Sequence, residues 1–203
     1  MDWDCRYQNG DIPWDKGTAA PSLAPIMARP DFTGNILVTG CGHGHDAAAL
    51  VSPSRRVVGF DISETALDRA RAQYSMPNLE FIQGDLRHPP ENLKNAFDWI
   101  VEHTCLCALD PEDRPAYVNF ARHCLRPGGR IFAIVFENLG EAKNGPPFAT
   151  PGPLLQALFH PYFTLVDLGR PASCFPGREG EEQLWLMEPL KNAYSSAGPR
   201  SRE

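Results

Sequence analysis

Short apolar runs recur along the chain, and stretches with helical spacing separate them. The runs are rich in β-branched and aromatic residues, and they predict five strands at residues 36–38, 56–60, 79–83, 97–102 and 130–136. Between the second and third strands, Ser63 is placed to cap a helix that extends to about residue 75. Strands that alternate with helices indicate an α/β protein built on a parallel sheet.

The pattern changes after the fifth strand. Residues 162–168 and 182–187 predict two further strands with no helical pattern between them. Because a loop joins them directly, we expect an antiparallel hairpin at the end of a seven-stranded, mostly parallel sheet with helices on both faces. The remaining expected elements are helices at 19–29, 110–125 and 154–159, a proline-glycine turn at 126–129 and a long irregular loop at 137–153.

The length of 203 residues suits one domain with a single large core. We expect this domain to cover residues 1–189, beginning with an aromatic segment and a helix over residues 1–30. Residues 190–203 are polar and are expected to form a disordered tail.

Composition excludes several classes of function. A net charge of −6 argues against nucleic acid as the main partner. No apolar run approaches the length of a membrane span, and the N-terminus lacks the pattern of a secretory signal. The six cysteines form no CxxC pair, which favours reduced thiols in a cytoplasmic protein. We therefore expect a cytoplasmic monomer or weak homo-oligomer that has a small-molecule partner.

The most informative stretch runs from residue 35 to residue 61 and reads NILVTGCGHGHDAAALVSPSRRVVGFD. It predicts a strand, a turn containing Gly40, Gly42 and Gly44, a helix and a second strand that ends in Asp61. Glycines allow a tight turn and a close approach to a ligand. An acid about 20 residues beyond the first glycine suits a ribose hydroxyl.

The glycine spacing discriminates between two ligands. The nicotinamide fingerprint GxGxxG requires a glycine where this chain has His45. The spacing found here, GxGxG, resembles the first motif of class I S-adenosylmethionine (AdoMet) methyltransferases. A fold whose turn merely needs glycine is the plain alternative. Zinc or haem at Cys41, His43 and His45 is a poor explanation of residues set among glycines, so we expect no metal site.

Aromatic residues precede the first strand, at Trp3, Tyr7 and Trp14. They could pack against the edge of the domain, or they could form a lid over a cationic sulfonium, which aromatic faces attract. Asp85 follows the third strand, and in class I methyltransferases an acid there commonly meets the adenine amino group. An aspartate that caps its own turn is an equally common arrangement.

Six stretches together resemble the thiopurine S-methyltransferase superfamily, and within it the halide/thiol methyltransferases. The resemblance covers about residues 3–188, and it is most specific at PWDKG, CALDPEDR and GPPF. The stretches are IPWDKGTAAP (12–21), VTGCGHGHD (38–46), VVGFDIS (57–63), HTCLCALDPEDR (103–114), LRPGGR (125–130) and NGPPF (144–148).

The resemblance implies roles for individual residues. The aromatic residues before the first strand would cover the cofactor, although the middle position, here Tyr7, is often tryptophan. Contacts to AdoMet would come from Trp3, Tyr7, Trp14, Gly40, Gly42, Asp61, Ile62, Asp85, Leu86 and Glu102. The pocket for the methyl acceptor would be lined by His103, Thr104, Pro146, Phe148 and Arg178.

The function implied is AdoMet-dependent methylation of a small soft nucleophile: a thiol, hydrosulfide, thiocyanate or halide. Such acceptors are anions or readily become so, and they need no dedicated base. His103 is the candidate catalytic residue because it could deprotonate a thiol, but it could equally bond across the pocket wall. Cys105 and Cys107 are expected to be small core residues. The alternatives are an O- or N-methyltransferase for a small metabolite and a non-catalytic AdoMet-binding module.

Overall fold

A computed structural model of the chain describes residues 1–139 and 145–190. Seven strands form one sheet in the order β3-β2-β1-β4-β5-β7-β6. The first five strands pair in parallel, and β7 runs antiparallel to both β5 and β6, which confirms the predicted sheet. The strands are β1 (Gly34–Thr39), β2 (Arg55–Asp61), β3 (Leu79–Gln83), β4 (Phe97–His103), β5 (Leu125–Phe136), β6 (Phe163–Gly169) and β7 (Glu182–Pro189).

Helices connect the strands and cover the sheet. The α-helices are α1 (Trp3–Gln8), α2 (Ala24–Met27), α3 (His45–Leu50), α4 (Glu64–Gln73), α5 (Arg114–Cys124) and α6 (Gly152–Phe159). Four short 3₁₀ helices lie at Pro21–Leu23, Glu91–Leu93, Leu106–Ala108 and Pro111–Asp113. Ser63 caps α4 as predicted, because its hydroxyl accepts a hydrogen bond from the N–H of Ala66 at 3.1 Å.

Alternate residues of the central strands face two separate apolar clusters. In β1, Leu37 packs with the residues of α5 and α6, whereas Ile36 and Val38 pack with those of α2, α3 and α4. In β4, Ile100 and Trp99 divide in the same way. Both faces are therefore buried, as the continuous apolar runs predict. Full burial of each such side chain stabilises the fold by about 1.5–3 kcal/mol.

The prediction of one continuous helix over residues 19–29 is wrong. A 3₁₀ turn is followed by the single turn α2, and Pro21 and Pro25 lie in the first positions of these two elements. Proline is well tolerated there, but it offers no N–H to continue a helix from the preceding turn.

Two other boundaries differ from the prediction. Strand β5 begins at Leu125, which pairs with Phe97, and the residues at 126–129 bulge outward before Arg130 pairs with Trp99. Asp110 does not cap α5 with its side chain, because the 3₁₀ turn Pro111–Asp113 comes first and α5 starts at Arg114. The tail at 191–203 and part of the predicted irregular loop, at 140–144, lie outside the described residues.

Candidate active site

A cavity of about 470 Å³ opens where the parallel strands end at their carboxyl termini. Open α/β sheets bind ligands at this edge, and the volume is typical of a small-molecule site. A smaller cavity of about 60 Å³ adjoins it beside the glycine turn. Of the predicted site residues, the large cavity is lined by Trp3, Tyr7, Trp14, Gly40, Asp61, Ile62, Asp85, Leu86, Thr104, Pro146 and Arg178.

The turn after β1 requires its glycines. Gly40 and Gly42 have φ angles of +58° and +51°, which residues with side chains rarely adopt. A Cβ on Gly40 would lie 2.7 Å from Cβ of Cys105, and one on Gly42 would lie 2.6 Å from the hydroxyl of Tyr7. Gly40 lines the large cavity and Gly42 lines the smaller one. Side chains at either position would push the turn away from the cavities.

Asp61 ends β2 at the cavity wall. Its Oδ2 accepts the N–H of Gly42 at 2.8 Å, and its Oδ1 accepts the N–H of Ser63 at 2.9 Å. Burial raises the pKa of Asp61, and the two backbone donors oppose that shift. The carboxylate thus joins the glycine turn to the start of α4, and it has lone pairs left for a ligand in the cavity.

Three further wall residues follow the ends of β2 and β3. Asp85 forms a two-nitrogen ion pair with Arg87, with Nη2 to Oδ2 at 2.7 Å, and this contact lowers the pKa of Asp85. Leu86 and Ile62 contribute apolar surface, and Ile62 is 41% exposed. An uncovered apolar side chain at a cavity rim is suited to a flat apolar group such as a purine.

The aromatic segment, residues 1–18, covers one side of the cavity. The indole Nε1–H of Trp14 donates to the hydroxyl of Tyr7 at 3.0 Å, and the rings of Trp3 and Trp14 pack edge to face at 5.3 Å. Asp4 fastens this segment to α4, because its carboxylate accepts the hydroxyl of Ser63 at 2.7 Å and the N–H of Thr65 at 2.9 Å. The three predicted aromatic residues are therefore brought together on the cavity wall.

Glu102 does not reach the cavity wall. Its carboxylate is 2% exposed and accepts the N–H groups of Cys105 at 3.0 Å and Leu106 at 2.7 Å, and it also accepts the hydroxyl of Thr39. Burial raises the pKa of Glu102 despite these donors. Among the described atoms, the Glu102 side chain holds the turn after β4 in place through these hydrogen bonds. A ligand in the cavity could therefore contact the backbone of that turn but not the Glu102 carboxylate.

The residues predicted to line the acceptor pocket do not all lie at one cavity in the structure. Thr104, Pro146 and Arg178 line the large cavity, and Thr104 has a φ angle of +63°, which is uncommon for a β-branched residue. His103 lines the smaller cavity instead. Phe148 lies behind the wall, where its N–H donates to the carbonyl of Cys107 at 2.8 Å.

His103 is held from both sides. The guanidinium of Arg178 donates from Nη1 to Nε2 of His103 at 3.0 Å, so the ring proton lies on Nδ1 and is donated to Asp46 at 2.6 Å. Arg178 Nη1 also pairs with the buried Glu182 at 3.1 Å. Sequence patterns alone did not suggest Asp46 and Glu182, because an acid in the first turn of a helix and one at a strand start carry no functional signature.

The cavity wall also includes two thiols, Cys105 and Cys107. Burial raises the pKa of both, in the case of Cys107 to about 12, so both are neutral thiols. Neutral buried thiols behave as small apolar groups.

The described residues include one group with the arrangement of metal ligands: Asp15, His43 and His45. The aspartate comes from the PWDKG stretch, and the histidines flank Gly44. The expectation of no metal site considered the histidines with Cys41 and did not anticipate that Asp15 would join them.

The strand order, the antiparallel β7, the glycine turn and the acid at the end of β2 define the class I AdoMet-dependent methyltransferase fold. A solved structure of this fold, a Burkholderia thailandensis 1,6-didemethyltoxoflavin-N1-methyltransferase with bound S-adenosylhomocysteine, matches 93% of this chain and 84% of its own chain. The TM-score is 0.71 and the identity is 24%. A TehB-like SAM-dependent methyltransferase from Corynebacterium glutamicum matches with a TM-score of 0.64 at 19% identity, over 93% of this chain and 97% of its own.

Sequence comparison narrows the class to a family. The family described as Thiopurine S-methyltransferase (TPMT) matches residues 1–189. Thiocyanate methyltransferase 1 of Arabidopsis thaliana is 33% identical over 189 residues, which cover 90% of this chain and 82% of that protein. A thiopurine S-methyltransferase of Vibrio parahaemolyticus is 27% identical over 79% of this chain and 81% of its own. The chain belongs to the thiopurine S-methyltransferase family, and it is therefore an AdoMet-dependent methyltransferase that acts on a small molecule.

No helix within residues 1–139 and 145–190 is both long and apolar enough to cross a bilayer.

Proposed function

We propose that this enzyme transfers the methyl group of AdoMet to a small soft nucleophile that enters the cavity as an anion: a thiolate, hydrosulfide, thiocyanate or halide. The observation that carries the proposal is the contact between Arg178 and His103. His103 is the residue in the cavity walls that could best act as a base, but its acceptor nitrogen already accepts a hydrogen bond from the permanently charged guanidinium of Arg178. Such a site favours acceptors that need no proton removed.

The cavity wall fits AdoMet in the chemistry of its donors and acceptors. We assign the ribose hydroxyls to Asp61, the adenine to Asp85, Ile62 and Leu86, and the amino-acid part to the turn at Gly40 and Gly42. Trp3, Tyr7 and Trp14 line the same cavity, and we assign their aromatic faces to the positive sulfonium, which such faces attract. Glu102 supports the backbone of this site from beneath. When bound, AdoMet supplies a methyl group on a positively charged sulfur, which is a good electrophile.

Transfer is a displacement in line with the sulfur–methyl bond. A lone pair of the acceptor forms the new bond to the methyl carbon, and the electron pair of the old bond returns to the sulfur, giving S-adenosylhomocysteine. The protein aligns the two reactants and excludes water from a soft, weakly hydrated anion. Thr104, Cys107, Phe136, Pro146 and Pro147 supply the largely apolar wall for this step.

Arg178 is the anion-recognition residue in this proposal. Its side chain is buried, and its guanidinium carbon lies 5.0 Å from the ring centroid of Phe136 and 5.2 Å from that of Phe175. Both described polar contacts use Nη1, and a guanidinium has further N–H donors on its other nitrogens. His103 acts through Arg178 and is a positioning residue. Phe148 shapes the acceptor pocket from behind by fixing the loop that includes Pro146.

Two relatives support a sulfur acceptor by their names. Besides the thiocyanate methyltransferase, a protein named probable thiol methyltransferase 2 from Arabidopsis thaliana is 35% identical over 153 residues, which cover 72% of this chain and 66% of that protein.

We also propose that residues 1–189 form one domain that acts in the cytoplasm as a monomer or weak homo-oligomer. All six cysteines are free, which supports a reducing compartment. Size-exclusion chromatography with light scattering measures the oligomeric state.

An acceptor screen with methyl-labelled AdoMet tests the proposed reaction. We expect methylation of iodide, thiocyanate, hydrosulfide or thiols and none of catechol or simple alcohols. For a thiol, the rate should rise with pH toward the pKa of the thiol itself, about 8.5 for a cysteine-like thiol. Iodide has no proton to lose and should show no such rise. Methylation of catechol alone would replace this proposal with the O-methyltransferase alternative.

Variants separate the roles of Arg178 and His103. Arg178→Gln should raise KM for iodide and thiocyanate more than tenfold. Arg170→Gln, at an exposed arginine that begins the same loop between β6 and β7, is the matched control. His103→Gln should slow iodide and thiol methylation by similar factors, because both acceptors depend on the position of Arg178. If His103→Gln slowed only the methylation of thiols and also altered its pH profile, His103 would be acting as a base.

A further inference from the structure

Asp15, His43 and His45 come together beside the smaller cavity. Asp15 belongs to the aromatic segment, His43 lies in the glycine turn, and His45 is the first residue of α3. The side chains of His43, His45 and Asp15 are only 10%, 13% and 13% exposed. One carboxylate thus faces two largely buried imidazoles in a site that the proposed methyl transfer does not use.

The three side chains lie close enough together to share one metal ion. One ligand atom from each of the three residues lies within 4.8 Å of the others. Nδ1 of His43 contacts Oδ2 of Asp15, and Nε2 of His45 lies 3.2 Å from Oδ1 of the same carboxylate. Ligand atoms at roughly 2.0–2.1 Å from a tetrahedral zinc ion are about 3.3 Å apart. Two imidazoles and a carboxylate form a ligand set that zinc prefers.

The residues around the three side chains hold them in place. Nδ1 of His45 contacts the hydroxyl of Tyr74 at 2.7 Å, an outer hydrogen bond of the kind that orients metal-binding histidines. Oδ1 of Asp15 accepts the N–H of Gly17 at 2.7 Å. The ring of His43 packs 5.1 Å from that of Tyr7, and its Nε2 is buried with no hydrogen-bond partner in the described structure. Its polar anchor is therefore Asp15.

We propose that Asp15, His43 and His45 bind a zinc ion that fastens the aromatic segment to the glycine turn. The adjoining cavity of about 60 Å³ has room for a water molecule as the fourth ligand. Asp15 directly follows Trp14, and His43 directly follows Gly42, so the ion stabilises the cover of the large cavity. The ion has a structural role here, and the methyl transfer does not require it to contact the acceptor.

Metal titration of the whole chain tests the proposal. The protein is freed of any affinity tag, treated with EDTA and titrated with zinc chloride in a calorimeter. We expect one zinc ion per chain and at least a tenfold weaker affinity in Asp15→Asn, His43→Gln and His45→Gln. His160→Gln, at an exposed histidine after α6, is the matched control and should bind as the wild type does. Cobalt should give the intense visible absorption of a four-coordinate site.

The absence of zinc binding by the wild type would overturn the proposal and leave a hydrogen-bonded cluster. Undiminished binding in all three variants would also overturn it, because the ion would then lie elsewhere. Asp15→Asn keeps the shape of the side chain, and circular dichroism identifies any variant that has failed to fold.

Limited trypsin digestion tests the fastening itself. Lys16 is exposed and follows Asp15 directly. Zinc should slow cleavage after Lys16 at least fivefold in the wild type and not in His45→Gln. Bound zinc with an unchanged cleavage rate would contradict a role in holding the aromatic segment.

Discussion

Asp61 has two tasks at the scale of a single residue. It accepts backbone N–H groups from the glycine turn and from the start of α4, and it presents its remaining lone pairs to the cavity. In Asp61→Asn, the amide NH₂ faces one of these N–H groups and leaves it unpaired. We expect AdoMet affinity to fall by about 1.5–3 kcal/mol, the range for hydrogen bonds to a charged group.

Calorimetric titration with AdoMet measures this loss for Asp61→Asn. Asp68→Asn, at an exposed position of α4, makes the same chemical change away from the cavity and should leave the affinity as it is. An Asp61→Asn protein that binds AdoMet as tightly as the wild type would remove Asp61 from the proposed cofactor site.

Glu102 makes the stability of the fold depend on pH. Its pKa is raised by burial above the ordinary value of 4.5. The stability that this group contributes is therefore complete below pH 4.5, and it is lost as the pH rises through the raised pKa. In Glu102→Gln, Oε1 can still accept the N–H groups of Cys105 and Leu106, and Nε2 can donate to the hydroxyl of Thr39.

We therefore expect Glu102→Gln to gain stability relative to the wild type as the pH increases. Urea unfolding at pH 5, 6, 7 and 8 gives the free energy of unfolding of both proteins. A difference between them that stays constant over these pH values would show that Glu102 keeps the same protonation state throughout.

At the scale of an element, α1 owes its position to tertiary contacts. A helix of six residues is too short to be stable alone. Asp2 caps it, and Asp4 fastens it to Ser63 and Thr65 at the start of α4. Removal of residues 1–10 should raise the AdoMet dissociation constant at least tenfold, because Trp3 and Tyr7 leave the cavity wall while the sheet stays intact.

A milder variant complements the truncation. Asp2→Ala removes the cap of α1 alone, which is worth about 1 kcal/mol, and should weaken AdoMet binding to a lesser degree. Calorimetry and circular dichroism are measured together. Equal affinity in the truncated protein, with an unchanged spectrum, would mean that the aromatic residues only pack the edge of the domain.

At the scale of the whole molecule, ligand binding is linked to stability. A ligand at 100 times its dissociation constant adds about 2.7 kcal/mol to the stability of the state that binds it. For a chain of this length, we expect S-adenosylhomocysteine at that excess to raise the melting temperature by roughly 5–10 °C. Thermal unfolding with NADH is the control. A rise with NADH and none with S-adenosylhomocysteine would contradict the assignment of the glycine turn.

Features that depend on neighbouring residues were predictable from the sequence. The runs of β-branched residues gave the strands, Ser63 marked the start of α4, and the spacing of Gly40, Gly42 and Asp61 indicated the cofactor turn. Each of these follows from local conformational preference or from one βαβ unit, whose handedness and strand neighbours are nearly fixed. The proline-containing helix at 19–29 was predicted wrongly, since apolar spacing does not show where a missing N–H ends a helix.

Only the tertiary structure decided which distant side chains meet. His103 and Arg178 are separated by 75 residues in the sequence. In the fold they are in contact, and the nitrogen of His103 that could have acted as a base instead accepts a hydrogen bond from the Arg178 guanidinium. Asp15 reaches His43 and His45 because the aromatic segment folds back over the glycine turn. The sequence by itself therefore determined the sheet and the class of cofactor. Long-range packing determined the hydrogen-bond partners and the grouping of the side chains, because these depend on distances that no local pattern encodes.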